Sequence, residues 1–262
     1  NDKPKALHMN ATMSATQVRL IRLALVVALL VVWELYARFV STSSLITGPS
    51  DVALAWWPKV MGDPGVRTAV VVTLIELVVA FAMSVVFGML IGVLIGLTNI
   101  GRRSFYPAVL LLYGIPQAIL LPLFVLMFGI GPAAKIAFGF SHGIFPVIVN
   151  TIAGMRNVSP LLVGGAAAMG ATRMQQVRYV IFPHMVATVF AGLRLAMTLT
   201  LLGVVLAEIF VSQGGIGFYT LSYSETFNPA ALMALVLTLA LMAIALNELV
   251  RLVEARFSRW KE

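Results

Sequence analysis

Chemistry in this sequence would have to come from a few short patterns, and each loses its case on context. Gly139, Ser141 and Gly143 fit G-x-S-x-G, the strand-to-helix turn that exposes a nucleophilic serine. Here the triplet lies inside an apolar, helix-forming run, where small residues serve close helix contacts better than acyl transfer. Residues 96–104 read G-x-x-x-x-G-R-R-S, one residue away from a phosphate-binding loop, but the lysine and the Ser/Thr after it are missing and no strand precedes them. The chain is therefore not expected to bind ATP itself. His8, His142 and His184 are scattered and there is no cysteine, so no metal site is expected. No nucleophile with a base and no pair of catalytic carboxylates emerges, which places an enzyme far behind other readings.

Ionisable residues and helix breaks inside apolar runs are a stronger signal, because both are costly in hydrocarbon and tend to face a cavity or a partner. Glu76, Arg194 and Glu208 lie furthest inside such runs. Arg194 and Glu208 are fourteen residues apart, roughly 21 Å along a helix, so each needs a partner elsewhere. Glu208 precedes a glycine-rich turn containing Gln213 and Gly215, a candidate external gate. Pro107, Gly114, Pro116 and Pro122 interrupt one run, with Gln117 beside the break, and Pro146 interrupts the next. Interrupted helices often line a pathway in transporters; a kink that merely improves packing fits the same residues. The candidate path or gate thus comprises Glu76, Pro116, Gln117, Pro122, Arg194, Glu208, Gln213 and Gly215, against structural polar contacts or snorkelling as the competing account. Glu34 and Arg38, four apart, suit a local pair. Gly88, Gly92 and Gly96 recur every four residues on one helix face, which suits close packing, with a sliding surface as the functional alternative.

The elements that must position these residues follow from composition. Of 262 residues, 60% are hydrophobic and 11% charged, too few charges to cover a water-soluble domain. A net charge of +8 comes in short clusters between apolar runs, not as a basic stripe with interleaved aromatics, so nucleic acid is not an expected partner. A membrane-crossing helix needs roughly 20 mostly apolar residues. Six runs qualify, at residues 20–40, 68–97, 104–128, 133–153, 185–211 and 230–250. The first is too long for a signal-peptide core and no small-residue cleavage site follows it. The expected fold is an all-α integral membrane protein of about six spans: a short N-terminal segment, residues 1–19, then one transmembrane domain, residues 20–262.

Alternating sides from a cytoplasmic N-terminus puts Lys3, Lys5, Arg19, Arg22, Arg102, Arg103, Arg156, Arg173, Arg178, Arg251, Arg256, Arg259 and Lys261 inside. Only Arg38, Lys59, Arg67 and Lys135 fall outside. That bias predicts both termini in the cytoplasm.

The loop between the fourth and fifth runs is neither charged nor polar enough to be a disordered linker. Ser159-Pro160 starts a short helix and Gly170 stops it. Thr172 with Gln175 fits a capping box for a second helix, until Pro183 redirects the chain into the membrane. A folded hairpin at about residues 157–183 results.

The run from Gly164, Gly165, Ala166, Ala167, Ala168 and Met169 to Gly170 and Ala171, then Val180-Ile181-Phe182-Pro183, resembles the cytoplasmic EAA loop of ABC-importer permeases. Resemblance extends through Leu121-Pro122-Leu123-Phe124, Phe128-Gly129-Ile130-Gly131, Lys135-Ile136, Gly192-Leu193-Arg194, Ala207-Glu208 and Gly215-Ile216-Gly217, and is greatest to the nitrate, sulfonate and taurine branch. It implies a type I importer fold in a bacterial cytoplasmic membrane, with Gly164, Gly165, Ala166, Gly170, Ala171, Thr172, Gln175 and Pro183 coupling to an ATPase. Small side chains at Ala166, Gly170 and Ala171 would allow close approach. It also implies partners: two cytoplasmic ATP-binding subunits that use ATP and magnesium, a second and identical permease subunit, and an extracytoplasmic solute-binding protein. No cofactor is expected in this chain. Two positions depart from the family pattern: Gly164 stands where the motif has glutamate, and Glu76 where relatives usually carry arginine. Without the family, a hairpin lying on the lipid surface would fit equally, and a secondary transporter or channel remains the alternative function, with Glu76 and Glu208 as candidate proton carriers.

Overall fold

The computed structural model describes residues 14–40, 46–211 and 213–257. Expectations for Lys3, Lys5, His8, Arg259 and Lys261 lie outside the described residues. Eleven α-helices and no strand are found among them. In chain order these are α1 (Ala15–Leu35), α2 (Pro49–Trp56), α3 (Pro64–Gly96), α4 (Asn99–Tyr113), α5 (Leu121–Phe128), α6 (Pro132–Arg156), α7 (Pro160–Ala168), α8 (Arg173–Gln176), α9 (Phe182–Val211), α10 (Ile216–Glu225) and α11 (Pro229–Phe257).

Helix starts follow local chemistry. Ser14 and Gln17 close a reciprocal capping box on α1. The Asp63 carboxylate accepts the Gly65 amide at 2.8 Å ahead of α3, with Pro64 in the first turn where its missing N–H costs nothing. Thr98 caps α4 through the Gly101 amide at 2.9 Å.

Five stretches are long and apolar enough to cross a membrane: Thr16–Val40, Pro64–Gly96, Pro132–Arg156, Arg173–Val211 and Pro229–Phe257. Asn99–Tyr113 and Gln117–Phe128 meet the same test only as a pair, bent by 79°. The expected third span is thus broken at Gly114 to Pro116, where the prolines sit.

Helix α6 lies between α3 and α9 and forms the centre of the bundle. Apolar burial drives little association in lipid, so close backbone approach has to supply the contact energy. Gly88, Gly92 and Gly96 of α3 face Val147, Thr151 and Met155 of α6, and a Cβ on Gly88 or Gly92 would come within 2.7 Å of its neighbour's Cβ. Gly139 and Gly143 do the same for α6 against Val204 and Thr200 of α9. The G-x-S-x-G triplet is a helix-packing face, as its context suggests.

Two features differ from the sequence reading. Pro183 does not turn the chain: Arg173–Val211 runs as one helical stretch with a π turn at Val177–Ile181. Pro183 cannot donate the usual bond to the preceding turn, and the wider i→i+5 spacing just before it accommodates the ring without a break. The loops at the opposite end of the bundle also carry structure the periodicity does not show. Helix α2 packs on α11, with Trp56 Nε1 donating to Thr238 Oγ1 at 3.0 Å, and α10 follows the glycine-rich turn after α9.

Candidate functional site

The hairpin between α6 and α9 is built by short-range bonds. Pro160 occupies the first turn of α7, although the Ser159 hydroxyl makes no capping bond. At the other end Gly170 adopts φ +83°, its amide bonds the Ala167 carbonyl at 2.9 Å, and the Ala171 amide bonds the Ala166 carbonyl at 3.0 Å. Those two bonds are a Schellman closure, which needs a left-handed residue at Gly170. One residue later the Thr172 amide donates to Gln175 Oε1 at 2.8 Å and the Gln175 amide to Thr172 Oγ1 at 3.3 Å, the expected capping box.

Gly164, Gly165 and Gly170 face open space, but Ala166 is buried inside the hairpin. Its small side chain lets α7 close on its neighbours, and it also lines the depression beside Met169 and Gly170. Outward the hairpin presents large apolar side chains, Met169 at 85% exposure, Met174 at 74%, Leu161 and Tyr179, among exposed polar ones, Thr172, Arg173, Gln175 and Arg178. A shallow depression lined by Met169, Gly170, Ala171, Gln175 and Tyr179 lies between them. These large side chains were not singled out from the sequence; the available signal was four bulky apolar residues in a loop outside the spans.

At the opposite end of the bundle the structure brings together Glu76 of α3 and Glu208 of α9, and adds Lys135 of α6. Lys135 Nζ lies 2.5 Å from Glu76 Oε1, and both side chains are almost wholly buried. Glu208, fully buried, accepts Thr73 Oγ1–H at 2.7 Å and the Gly217 amide at 2.9 Å. Thr73 in turn accepts the Ile216 amide at 2.9 Å, and Lys135 donates to the Gly214 carbonyl at 3.4 Å. The Glu76 carboxylate meets Lys135 on one side and lies within hydrogen-bonding reach of the Glu208 carboxyl on the other. The sequence reading places Lys135 among the outside charges, at the start of the run 133–153, and gives it no partner; a lysine inside an apolar run is the signal that it needs one.

Gly215 is indispensable to this arrangement. It sits at φ +104°, and a Cβ there would fall 2.1 Å from Glu208 Oε1. Gln213, beside it, is exposed.

The remaining candidates stand apart from this cluster. Arg194 pairs with Glu254 of α11, and Glu34 with Arg38 and the Ser50 hydroxyl and amide. Pro116 marks the break after α4, Gln117 opens a short 3-10 turn, and Pro122 lies in the first turn of α5. The Ser141 hydroxyl of α6 donates to the Phe138 carbonyl at 2.7 Å and lies 3.4 Å from Gln117 Oε1, and Pro122 borders an open cleft shared with Phe210 and Val211.

The chain is thus a helical multi-pass membrane protein with a folded hairpin between two spans, and its family follows from the comparisons. The chain belongs to the family of binding-protein-dependent transport system inner membrane components, whose pattern matches residues 84–262. The taurine transport system permease protein TauC of Escherichia coli (strain K12) is 27% identical over 237 residues, covering 88% of this chain and 86% of that one. The formylaminopyrimidine transport permease protein ThiX of Halalkalibacterium halodurans is 27% identical over 216 residues, covering 82% of this chain and 86% of its own length. The fold matches an inward-facing structure of the MetNI methionine ABC transporter with a TM-score of 0.62 at 22% identity, covering 74% of this chain and 94% of that one. The resemblance drawn from the hairpin residues is thereby borne out.

Proposed function

We propose that this chain is the translocating subunit of an ATP-driven importer that takes a small polar solute, of the sulfonate, taurine or nitrate kind, from a soluble binding protein. The observation that carries the reading is the hairpin: a rigidly closed element outside the spans that exposes Met169, Met174 and Tyr179 to a partner. Side chains of that size exposed together suit a protein groove better than water. In this reading the hairpin docks on a separate ATP-hydrolysing subunit in the cytoplasm, both termini lie on that side, and two copies of the chain enclose the path about a two-fold axis.

ATP and magnesium belong to the partner. Its closure draws the paired hairpins together, and its differing affinity for the two states supplies the energy. The solute passes beside the Pro116 break, where Gln117 and Ser141 offer neutral hydrogen-bonding groups. The alternative of an ion-driven transporter would draw on the buried Glu76 and Glu208, but it has no use for the folded hairpin.

The test is purification from native membranes. A stoichiometric ATPase should accompany the chain and be lost in a Met174→Asp/Tyr179→Asp variant, which leaves both capping motifs in place. A chain that arrives alone and moves solute down an ion gradient in liposomes would overturn the proposal.

A further inference from the structure

The buried charges have a distinctive place. Among the described interactions, polar contacts tie the 213–217 turn to the spans at the cluster and its neighbour Thr73: the Gly214 carbonyl on Lys135, the Ile216 amide on Thr73, the Gly217 amide on Glu208. The first turn of α10, where backbone dipoles leave partial positive charge, thus points at a carboxylate. Beneath the turn Ile216 is fully buried against Val66 and Leu235. We propose that Glu76, Lys135 and Glu208 form a clasp that holds α10 down across the end of the bundle opposite the hairpin, and that the clasp must part for the solute path to open there. The proposal rests on the importer reading for its role, though not for its existence.

The physical case lies in how the cluster responds to water. Apolar contacts resist hydration, so a gate closed by them alone opens against the full cost of wetting them. A buried ion pair is the reverse: its desolvation penalty cancels much of its attraction, and that penalty is relieved when water reaches it. Glu76, buried between Lys135 and the Glu208 carboxyl, stands to gain from hydration. The cluster is therefore stable when dry and stable when wet, and costly only when half-separated. An element with two such states is what an opening end requires, and a static packing contact has no use for it. The other ionisable side chains of α10, Tyr219, Tyr223 and Glu225, make no contact with the cluster among the described interactions.

The chain has no cysteine, so Ile216→Cys supplies a single reporter beneath the turn. Its labelling by a membrane-impermeant maleimide would be followed in membrane vesicles bearing the whole importer, with and without ATP. With the native cluster, the introduced thiol should label slowly. Lys135→Met, which strands Glu76, should speed labelling without ATP by on the order of a hundredfold.

The decisive variant is Glu76→Leu/Lys135→Met, which replaces the pair by apolar groups and keeps the interior filled. It should label about tenfold more slowly than the native pair and lose solute uptake, because it gains nothing from water. Labelling and uptake like those of the native pair would overturn the clasp, and that variant carries the test if Lys135→Met does not fold. Labelling that follows the substitutions but ignores ATP would sink the importer reading while leaving the clasp intact.

Discussion

The two ends of this molecule are held by opposite means. At the hairpin, shape comes from bonds between residues at most five apart, Gly170 to Ala167, Ala171 to Ala166 and Thr172 with Gln175, while large apolar side chains point outward. At the other end polar and charged side chains point inward, and their bonds join residues 135 and 143 positions apart, Thr73 to Glu208 and to Ile216. A surface that meets a partner can be shaped locally and exposed. A seam that opens and closes far from the partner needs contacts among several spans, and polar ones respond to water. On the proposed reading, the buried charges sit where helices part, and the apolar side chains exposed on the hairpin, unlike those along the spans, sit where a partner docks.

Lys135→Met should break the comparison most severely if it is wrong. Removing the ammonium leaves Glu76 buried without a counter-charge, at a cost of about 3–5 kcal/mol. Thermal unfolding of the detergent-solubilised chain should report the loss, and Glu76→Leu/Lys135→Met should recover most of it. A single variant as stable as the parent would mean that water already reaches the pair and that the end is never closed.

Which parts were legible in the sequence follows the same division. The hairpin could be read residue by residue because its signals are local: a glycine at the stop, a threonine and glutamine three apart. The spans could be read from apolar length, and the packing of Gly88, Gly92 and Gly96 from their spacing. The clasp could not be assembled, because nothing in the spacing of Glu76, Lys135 and Glu208 says that three helices bring them together. Lys135 stands without a partner in the sequence for that reason, and Arg194 could not be matched to Glu254. Helix α10 escaped because its ten residues carry too little apolar periodicity, and Pro183 misled because a π turn absorbs a proline that would end an ordinary α-helix.

Gly215→Ala and Gly170→Ala sharpen the contrast, since both substitute glycines at positive φ. At Gly170 the added methyl meets open space, so only the left-handed backbone resists, at about 1–2 kcal/mol. At Gly215 the backbone lies beyond the ordinary left-handed well and the methyl also strikes the Glu208 carboxylate, so strain alone is about 3 kcal/mol. Gly215→Ala should therefore lower the melting temperature and raise the exposure of α10 to proteolysis. Gly170→Ala should leave the spans unchanged and weaken retention of the ATPase. Equal global losses from the two would mean that the hairpin is as deeply tied to the bundle as the clasp.

Thr172→Ala asks the smallest question and isolates local order from partner contact. The hydroxyl bonds the Gln175 amide of its own turn and lies outside the hairpin's apolar knobs. Its loss should cost about 1 kcal/mol of helix capping. Because the surrounding residues are exposed, that cost falls on the ordering of α8 and not on the bundle, so the melting temperature should stay put while amide exchange in residues 172–176 quickens. ATPase retention should drop by roughly fivefold if the hairpin must be ordered before it docks, since the ordering cost is then charged to binding. Faster exchange with unaltered retention would show instead that the partner grips Met169, Met174 and Tyr179 whatever the state of α8.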